Sequence, residues 1–245
     1  MTAGPGTPAG PGTTGAGAPG VLRVLTWNVH GLRAGTDAVA EVLRAAACDA
    51  VLLQEGPRGS RAVPRSAALA RRSGLLVAAA GRPAAGNLVL VAARLHVHAA
   101  AVLALPVRGL TTPVRGSASA LVSAAGGPRL VLRAAHLGLD QGERADHAAR
   151  LAAEGGSYPA VVGADLNEHP GGPSWSALLP GGQDAFAAAG TGPGGTFPAV
   201  RRAGSRARID ALLVRGARVR SAQVLDAAGA SDHAPLVAEL EVPAA

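Results

Sequence analysis

Four polar clusters interrupt the apolar runs of this sequence, each at the end of one. They are Thr26-Trp27-Asn28-Val29-His30-Gly31, Leu53-Gln54-Glu55-Gly56, Gly163-Ala164-Asp165-Leu166-Asn167-Glu168 and Ser231-Asp232-His233-Ala234. Two more polar residues stand in stretches of the same kind: His136 in Ala135-His136-Leu137-Gly138, and Asp210 in Arg208-Ile209-Asp210-Ala211. A carboxylate beside an apolar strand is costly unless it is paired or bound to a cation. Glu55, Asp165, Asp210 and Asp232 all have that placement. Carboxylate, amide and water ligands suit Mg²⁺ or Mn²⁺. Such an ion can polarise a phosphoryl oxygen and stabilise a leaving oxygen. Histidines beside carboxylates can supply acid-base chemistry. Cys48 is the only cysteine, which excludes an intramolecular disulfide and multi-cysteine zinc sites. Its apolar, periodic surroundings mark it as a small core residue.

The elements that must position these clusters follow from the apolar pattern. Strands are expected at Val21 to Trp27, Ala50 to Gln54, 75–80, 86–93, 95–104, 117–124, 129–135, Ala160 to Asp165, 208–214, 218–225 and 235–241. Helices are expected from Thr36 to Ala47, with Thr36 or Asp37 near the N-cap, and then at Pro64 to Arg72, Glu143 to Ala153 and Pro173 to Leu178. Residues 1–20 are mostly Gly, Pro, Thr and Ala and offer almost nothing to bury, so they read as a disordered tail. The rest, 21–245, has no long linker and no repeat of fixed period, which predicts a single α/β domain. Rigid strand ends are where catalytic groups concentrate.

Hydrophobic residues make up 48% of the chain but aromatics only 2%, so the core must be built from Ala, Val and Leu. All 23 basic residues are arginine, and the net charge is +7, which suits an anionic partner such as a phosphate ester or nucleic acid. From Gly56 to Leu139 there are eleven arginines and no acid, and from Arg201 to Arg220 seven arginines and one acid, Asp210. These stretches read either as solvated surface or as an anion-facing rim. The first 20 residues lack the charged and apolar regions of a signal peptide, and no run of 18 apolar, uncharged residues follows. The expectation is a cytoplasmic monomer with no transmembrane segment.

The order W-N-x-H-G, Q-E, H-L, G-x-D-L-N, R-I-D and S-D-H resembles the endonuclease/exonuclease/phosphatase family over residues 21–241. That resemblance implies two packed mixed β-sheets with helices on the outer faces, a four-layer α/β sandwich, and a metal site where loops of both sheets meet at one end. By the same resemblance, Glu55 is the principal metal ligand, with Asn28 beside it and Asp232 as a further carboxylate, and the ion is Mg²⁺, with Mn²⁺ as the alternative. Asp165 and Asn167 resemble the pair that orients the nucleophilic water and the phosphate. His233 resembles the histidine next to the scissile phosphate, with Asp210 as its partner, and His136 the second phosphate-facing histidine. No organic cofactor is implied. His30 and His169 read as loop residues, His96, His98 and His147 as structural, Trp27 as core, and Arg144 as helix surface.

Two departures stand out. Ala164 occupies a position where the family usually has glycine, and no carboxylate between Glu55 and Asp140 is available to support the first histidine. Lysine-rich abasic-site endonucleases and inositol polyphosphate phosphatases carry other motifs. The pair of histidines resembles instead the deoxyribonuclease and sphingomyelinase side of the family. The expectation is a metal-dependent phosphodiesterase, with a nuclease as the leading specific case. A phosphomonoesterase acting on a lipid or sugar phosphate is the first alternative. A non-catalytic, arginine-rich nucleic-acid-binding protein is the second.

Overall fold

The computed structural model describes residues 20–109, 112–198 and 206–243. The expected tail over 1–20 lies outside them except for Gly20, and so do Arg201 and Arg202 of the second arginine stretch. In chain order the elements are β1 (Val21–Asn28), α1 (Thr36–Ala46), β2 (Ala50–Gln54), α2 (Ala62–Ser73), β3 (Leu76–Ala79), β4 (Leu88–Val91), β5 (Leu95–Ala104), β6 (Gly116–Ala124) and β7 (Leu130–His136). There follow α3 (Gln141–Ala153), β8 (Ala160–Asp165), α4 (Pro173–Leu178), β9 (Gln183–Asp184), α5 (Ala185–Ala189), β10 (Gly190–Thr191), β11 (Phe197–Pro198), β12 (Arg206–Ala207), β13 (Asp210–Arg215), β14 (Arg218–Val224) and β15 (Leu236–Glu241). No described helix is long and apolar enough to cross a membrane.

The strands form two large mixed sheets and a two-stranded one of β11 and β12. Of the large sheets, one runs β10-β14-β15-β1-β2-β4-β3 and the other β5-β6-β7-β8-β13-β9. Their central strands read as continuous apolar runs because both faces are covered. Val24 and Leu52 point between the sheets and pack with Ala118, Leu132, Val161 and Leu212. Leu25, Trp27, Val51 and Leu53 point outward, against Val39, Leu43 and Leu69 of α1 and α2. On the second sheet, Val162 and Leu213 face outward against Leu151 of α3 and Trp175 and Leu178 of α4. The result is the four-layer sandwich, with a core almost free of aromatics as the composition requires.

The sheets approach very closely at Gly163 of β8. A Cβ there would lie 2.8 Å from Leu52 Cβ and 2.8 Å from Thr26 Cβ. Gln54 Nε2 crosses the same gap, donating to Gly163 O at 3.0 Å and to Thr26 Oγ1 at 3.1 Å. The helices end as their sequences dictate. Asp140 caps α3 by accepting from Glu143 N at 2.9 Å, the usual role of an N-cap carboxylate. α1 starts at Thr36 with Gly35 as its N-cap and no side-chain cap, so neither Thr36 nor Asp37 caps it.

Candidate active site

The registers of three neighbouring strands set one row of polar side chains across the end of the second sheet. His136 is the parallel partner of Asp165 in β7 and β8, and Asp165 is the antiparallel partner of Asp210 in β8 and β13. All three are buried. Asn167 follows Asp165 with φ 50°, a left-handed backbone that asparagine tolerates. The Asp165 carboxylate supports this turn by accepting from Asn167 N at 3.1 Å.

The other sheet supplies residues to the same end. Asn28 closes β1 and donates from Nδ2 to Asp165 Oδ2 at 2.9 Å, while its Oδ1 accepts from His30 N at 3.0 Å. Glu55 follows β2 with φ 50°, and Gly56, whose Cβ would collide with Leu88, lets the chain turn there. Glu55 Oε1 lies 3.8 Å from His136 Nδ1. His233 precedes β15, held by Trp27 Nε1, which donates to His233 O at 2.9 Å, and by the tilted ring of Phe197, 4.5 Å away.

Two histidines thus face the Asp165 carboxylate in different surroundings. His233 Nδ1 lies 2.9 Å from Asp210 Oδ2, and its Nε2 lies 3.8 Å from Asp165 Oδ2. Burial opposes protonation of this ring. The hydrogen bond to Asp210 and the charges of Asp210, Asp165 and Asp232 outweigh it and push the pKa up to about 9. His136 Nε2 lies 3.3 Å from Asp165 Oδ2 and 3.1 Å from Asn167 Nδ2. Burial dominates here. Asp165 opposes it, Arg115 reinforces it, and the pKa falls to about 3. Near neutral pH these opposite shifts favour the charged ring at His233 and the neutral ring at His136.

Ligand atoms of Asp165, Asp210 and His233 lie within 4.8 Å of one another. The sequence-derived metal set is arranged more openly. Asn28 is bonded to Asp165, Glu55 stands beside His136, and Asp232 lies 3.3 Å from His30 Nδ1, with Ser231 bridging back to Asn28 O. His30 is thus a neighbour of the site rather than an unconnected loop residue. His147 is fully buried and bridges Gly138 N and Pro106 O, a structural role. Arg144 is not free helix surface: it donates to Leu139 O at 2.6 Å and lies 3.5 Å from Glu168.

Sequence reasoning missed two contributors. Thr196 is fully buried, and its Oγ1 accepts from Ile209 N and Asp210 N, each at 3.3 Å. It fixes the entry to β13, yet nothing in the surrounding sequence marks it. Arg115 is buried and its Nη1 lies 3.1 Å from His136 Nδ1. The arginine-rich stretch is therefore not all rim. Arg133 is also buried, donating to Leu151 O and Glu154 O at the end of α3.

A search of curated proteins finds no sequence match. Among solved structures, an endonuclease/exonuclease/phosphatase family protein from Bacteroides thetaiotaomicron superposes with a TM-score of 0.76 at 16% identity, over 91% of this chain and 98% of that one. A mannosyl-6-phosphatase from Bacteroides thetaiotaomicron VPI-5482 gives 0.75 at 16% identity, over 89% and 99%. Truncated TDP2 from Caenorhabditis elegans gives 0.67 at 20% identity, over 91% and 98%. These likenesses establish the fold. The profile of the Endonuclease/Exonuclease/phosphatase family matches residues 25–233, from β1 to the site histidine His233, and the chain belongs to that family.

Proposed function

We propose that the protein is a metal-dependent phosphoesterase that hydrolyses a phosphodiester, with nucleic acid as the leading substrate class. The observation that carries this reading is the Asp210–His233 hydrogen bond, 2.9 Å long and buried, set beside Asp165. Asp210 accepts the Nδ1 proton and fixes the ring, so Nε2 faces the Asp165 carboxylate, with Oδ2 at 3.8 Å. There a protonated Nε2 stabilises negative charge developing on a phosphoryl or leaving oxygen. Asp165 accepts from Asn28 and Asn167 and is the carboxylate best placed to orient a water molecule. Asn167 Nδ2 supplies a neutral donor for a phosphoryl oxygen.

The donor set fits a hard divalent ion. It is made of carboxylate and amide oxygens, and Asp210 Oδ1 is buried without a hydrogen-bond partner among the described residues. By the family resemblance Glu55, Asn28 and Asp232 would hold the ion, and Asp210 offers a further carboxylate oxygen. When bound, Mg²⁺ or Mn²⁺ supplies Lewis-acid polarisation of the phosphoryl oxygen.

The net charge of +7 favours a polyanion, while likeness to a mannosyl-6-phosphatase keeps a phosphomonoester in view. Purified protein with Mg²⁺ or Mn²⁺ is to be assayed against bis-p-nitrophenyl phosphate, p-nitrophenyl phosphate, plasmid DNA, RNA and phospholipids. Turnover of the diester and of a nucleic acid is expected. Preference for the monoester would reassign the substrate class, and inactivity on all five with either ion would reject the hydrolase reading.

A further inference from the structure

Some members of the family carry a carboxylate that supports the first histidine, and none exists here between Glu55 and Asp140. An arginine lies within hydrogen-bond distance of His136 instead. Arg115 Nη1 lies 3.1 Å from His136 Nδ1. A guanidinium has five donors and no acceptor, so Nδ1 must present its lone pair. The ring proton is then on Nε2, which lies 3.3 Å from the acceptor Asp165 Oδ2. The alternative, a proton on Nδ1, would set N–H against a charged donor. Its compensation would be a neutral bond from the second N–H of Asn167 Nδ2 to Nε2, at 3.1 Å, and a Glu55 carboxylate 3.8 Å from Nδ1, too far for a hydrogen bond. Charge-assisted bonds are the stronger kind, so the arginine decides.

The burial of Arg115 is not explained by structural bonding. Its bond to His136 is the only side-chain hydrogen bond it makes among the described residues, and its Nε is buried without a partner. Arg133, the other buried arginine among the described residues, has two carbonyl acceptors and serves α3. Burying a guanidinium with one hydrogen bond costs stability, offset in part by the nearby charges of Asp165, Glu55 and Glu143. The local backbone is nevertheless built for it. Asn87 Nδ2 donates to both Ala84 O and Gly116 O, drawing the Arg82–Ala84 turn onto the start of β6. Gly116 permits that approach, since a Cβ there would lie 2.1 Å from Pro83 O. Ser117 pairs with Ala135, which brings the residue before β6 alongside His136.

We propose that Arg115 is a positioning residue for the hydrolysis: it fixes His136 as the Nε2-protonated tautomer and aims that proton, with Asn167 Nδ2, at a phosphoryl oxygen held beside Asp165. This rests on the phosphoesterase reading. The two site histidines are then held in opposite senses. Asp210 makes Nδ1 of His233 a donor, and Arg115 makes Nδ1 of His136 an acceptor. His136 thereby serves as a hydrogen-bond donor to phosphate and not as a base.

The test uses the full chain labelled with ¹⁵N. Long-range ¹H–¹⁵N correlation reads the tautomer of His136 in metal-free protein, with His136→Gln identifying the signals. Nε2–H is expected in the wild type, and Nδ1–H or a mixture in Arg115→Met. Arg115→Lys, which retains a charged donor, should restore the wild-type pattern. With bis-p-nitrophenyl phosphate and Mg²⁺, Arg115→Met should lower kcat by roughly 10-fold or more, with KM changed less than about 3-fold, and Arg115→Lys should recover part of the loss. Nδ1–H in the wild type overturns the proposal without any variant, so a misfolded Arg115→Met does not shield it. Unchanged kcat in a folded Arg115→Met overturns it as well. Absence of any phosphoesterase activity in the wild type would instead count against the parent reading, since the tautomer needs neither metal nor substrate.

Discussion

Asp210 and His233 meet at 2.9 Å although one opens a strand of the six-stranded sheet and the other precedes a strand of the seven-stranded sheet. Their hydrogen bond is therefore a link between the two halves of the sandwich. It sits where Asp210 is flanked by Asp165, its direct partner across the β8–β13 ladder. Two carboxylates placed opposite each other repel, and a proton on His233, which the bond to Asp210 favours, offsets that repulsion.

If the pair acts as a unit, its losses will not add. His233→Ala and Asp210→Asn should each lower kcat by roughly 10²-fold or more, the usual scale for acid-base groups. The double variant should be little worse than the poorer single one. Fully additive losses, or near-normal turnover in a folded single variant, would remove the pair from the chemistry.

If the pair is catalytic, the same link should make turnover sensitive to sheet packing. A methyl group at Gly163 would sit 2.8 Å from both Leu52 Cβ and Thr26 Cβ, so Gly163→Ala must push the sheets apart. Overpacking of this kind costs about 1–3 kcal/mol, or roughly 2–12 °C in Tm for a domain of this size. The separation should also stretch the Asp210–His233 contact, so kcat should fall in the variant at temperatures where it is fully folded. An unchanged Tm by calorimetry would show that the interface absorbs the methyl group.

The strands that frame the site were legible because they are buried on both faces and read as apolar runs with polar residues at their ends. The expected bounds of β2 and β8 match those observed, Ala50–Gln54 and Ala160–Asp165. The two-residue strands at Gln183–Asp184, Gly190–Thr191, Phe197–Pro198 and Arg206–Ala207 were not expected, since two residues carry no periodicity. Asp165, Asp210 and His136 announced themselves as ionisable groups in apolar surroundings. Arg115 did not. It is one of eleven arginines in an acid-free stretch, and its place beside His136 follows from the β6–β7 register and the close approach at Gly116, neither of which composition or spacing encodes. Thr196 was hidden for the same reason: its importance lies in two backbone donors fourteen and thirteen residues away.

Cys48 provides a pH test away from the site. Burial pushes its thiol up to about 12, against the opposing influence of Arg23. The folded chain therefore keeps the proton after the unfolded chain has lost it. Above the ordinary thiol pKa the unfolded state binds fewer protons, so this group lowers stability as pH rises, by up to about 1.4 kcal/mol per unit until the folded thiol ionises near 12. Cys48→Ala should remove that contribution, so its Tm should decline less steeply than the wild type's between pH 9 and 11. Native protein at pH 8 should also react with a thiol reagent far more slowly than unfolded protein. Fast reaction in the native state, or parallel Tm profiles, would contradict this environment for Cys48.

Glu55 tests the metal directly. Its side chain is about one-third exposed and makes no hydrogen bond among the described residues, with His136 Nδ1 its nearest ionic neighbour at 3.8 Å. Folding does not depend on that carboxylate, so Glu55→Gln should leave the Tm of metal-free protein within a degree or two. Its charge matters to a hard divalent ion, which a neutral amide holds far less well. In the wild type, Mg²⁺ or Mn²⁺ at a hundred times its Kd should raise stability by about 2.7 kcal/mol. The variant at the same concentration should lose most of that gain, and its Kd by calorimetric titration should rise at least 10-fold. The loss should appear without any substrate, so it separates metal binding from turnover. An equal Tm gain and an equal Kd in Glu55→Gln would place the ion elsewhere, with the close group of Asp165, Asp210 and His233 as the next set to test.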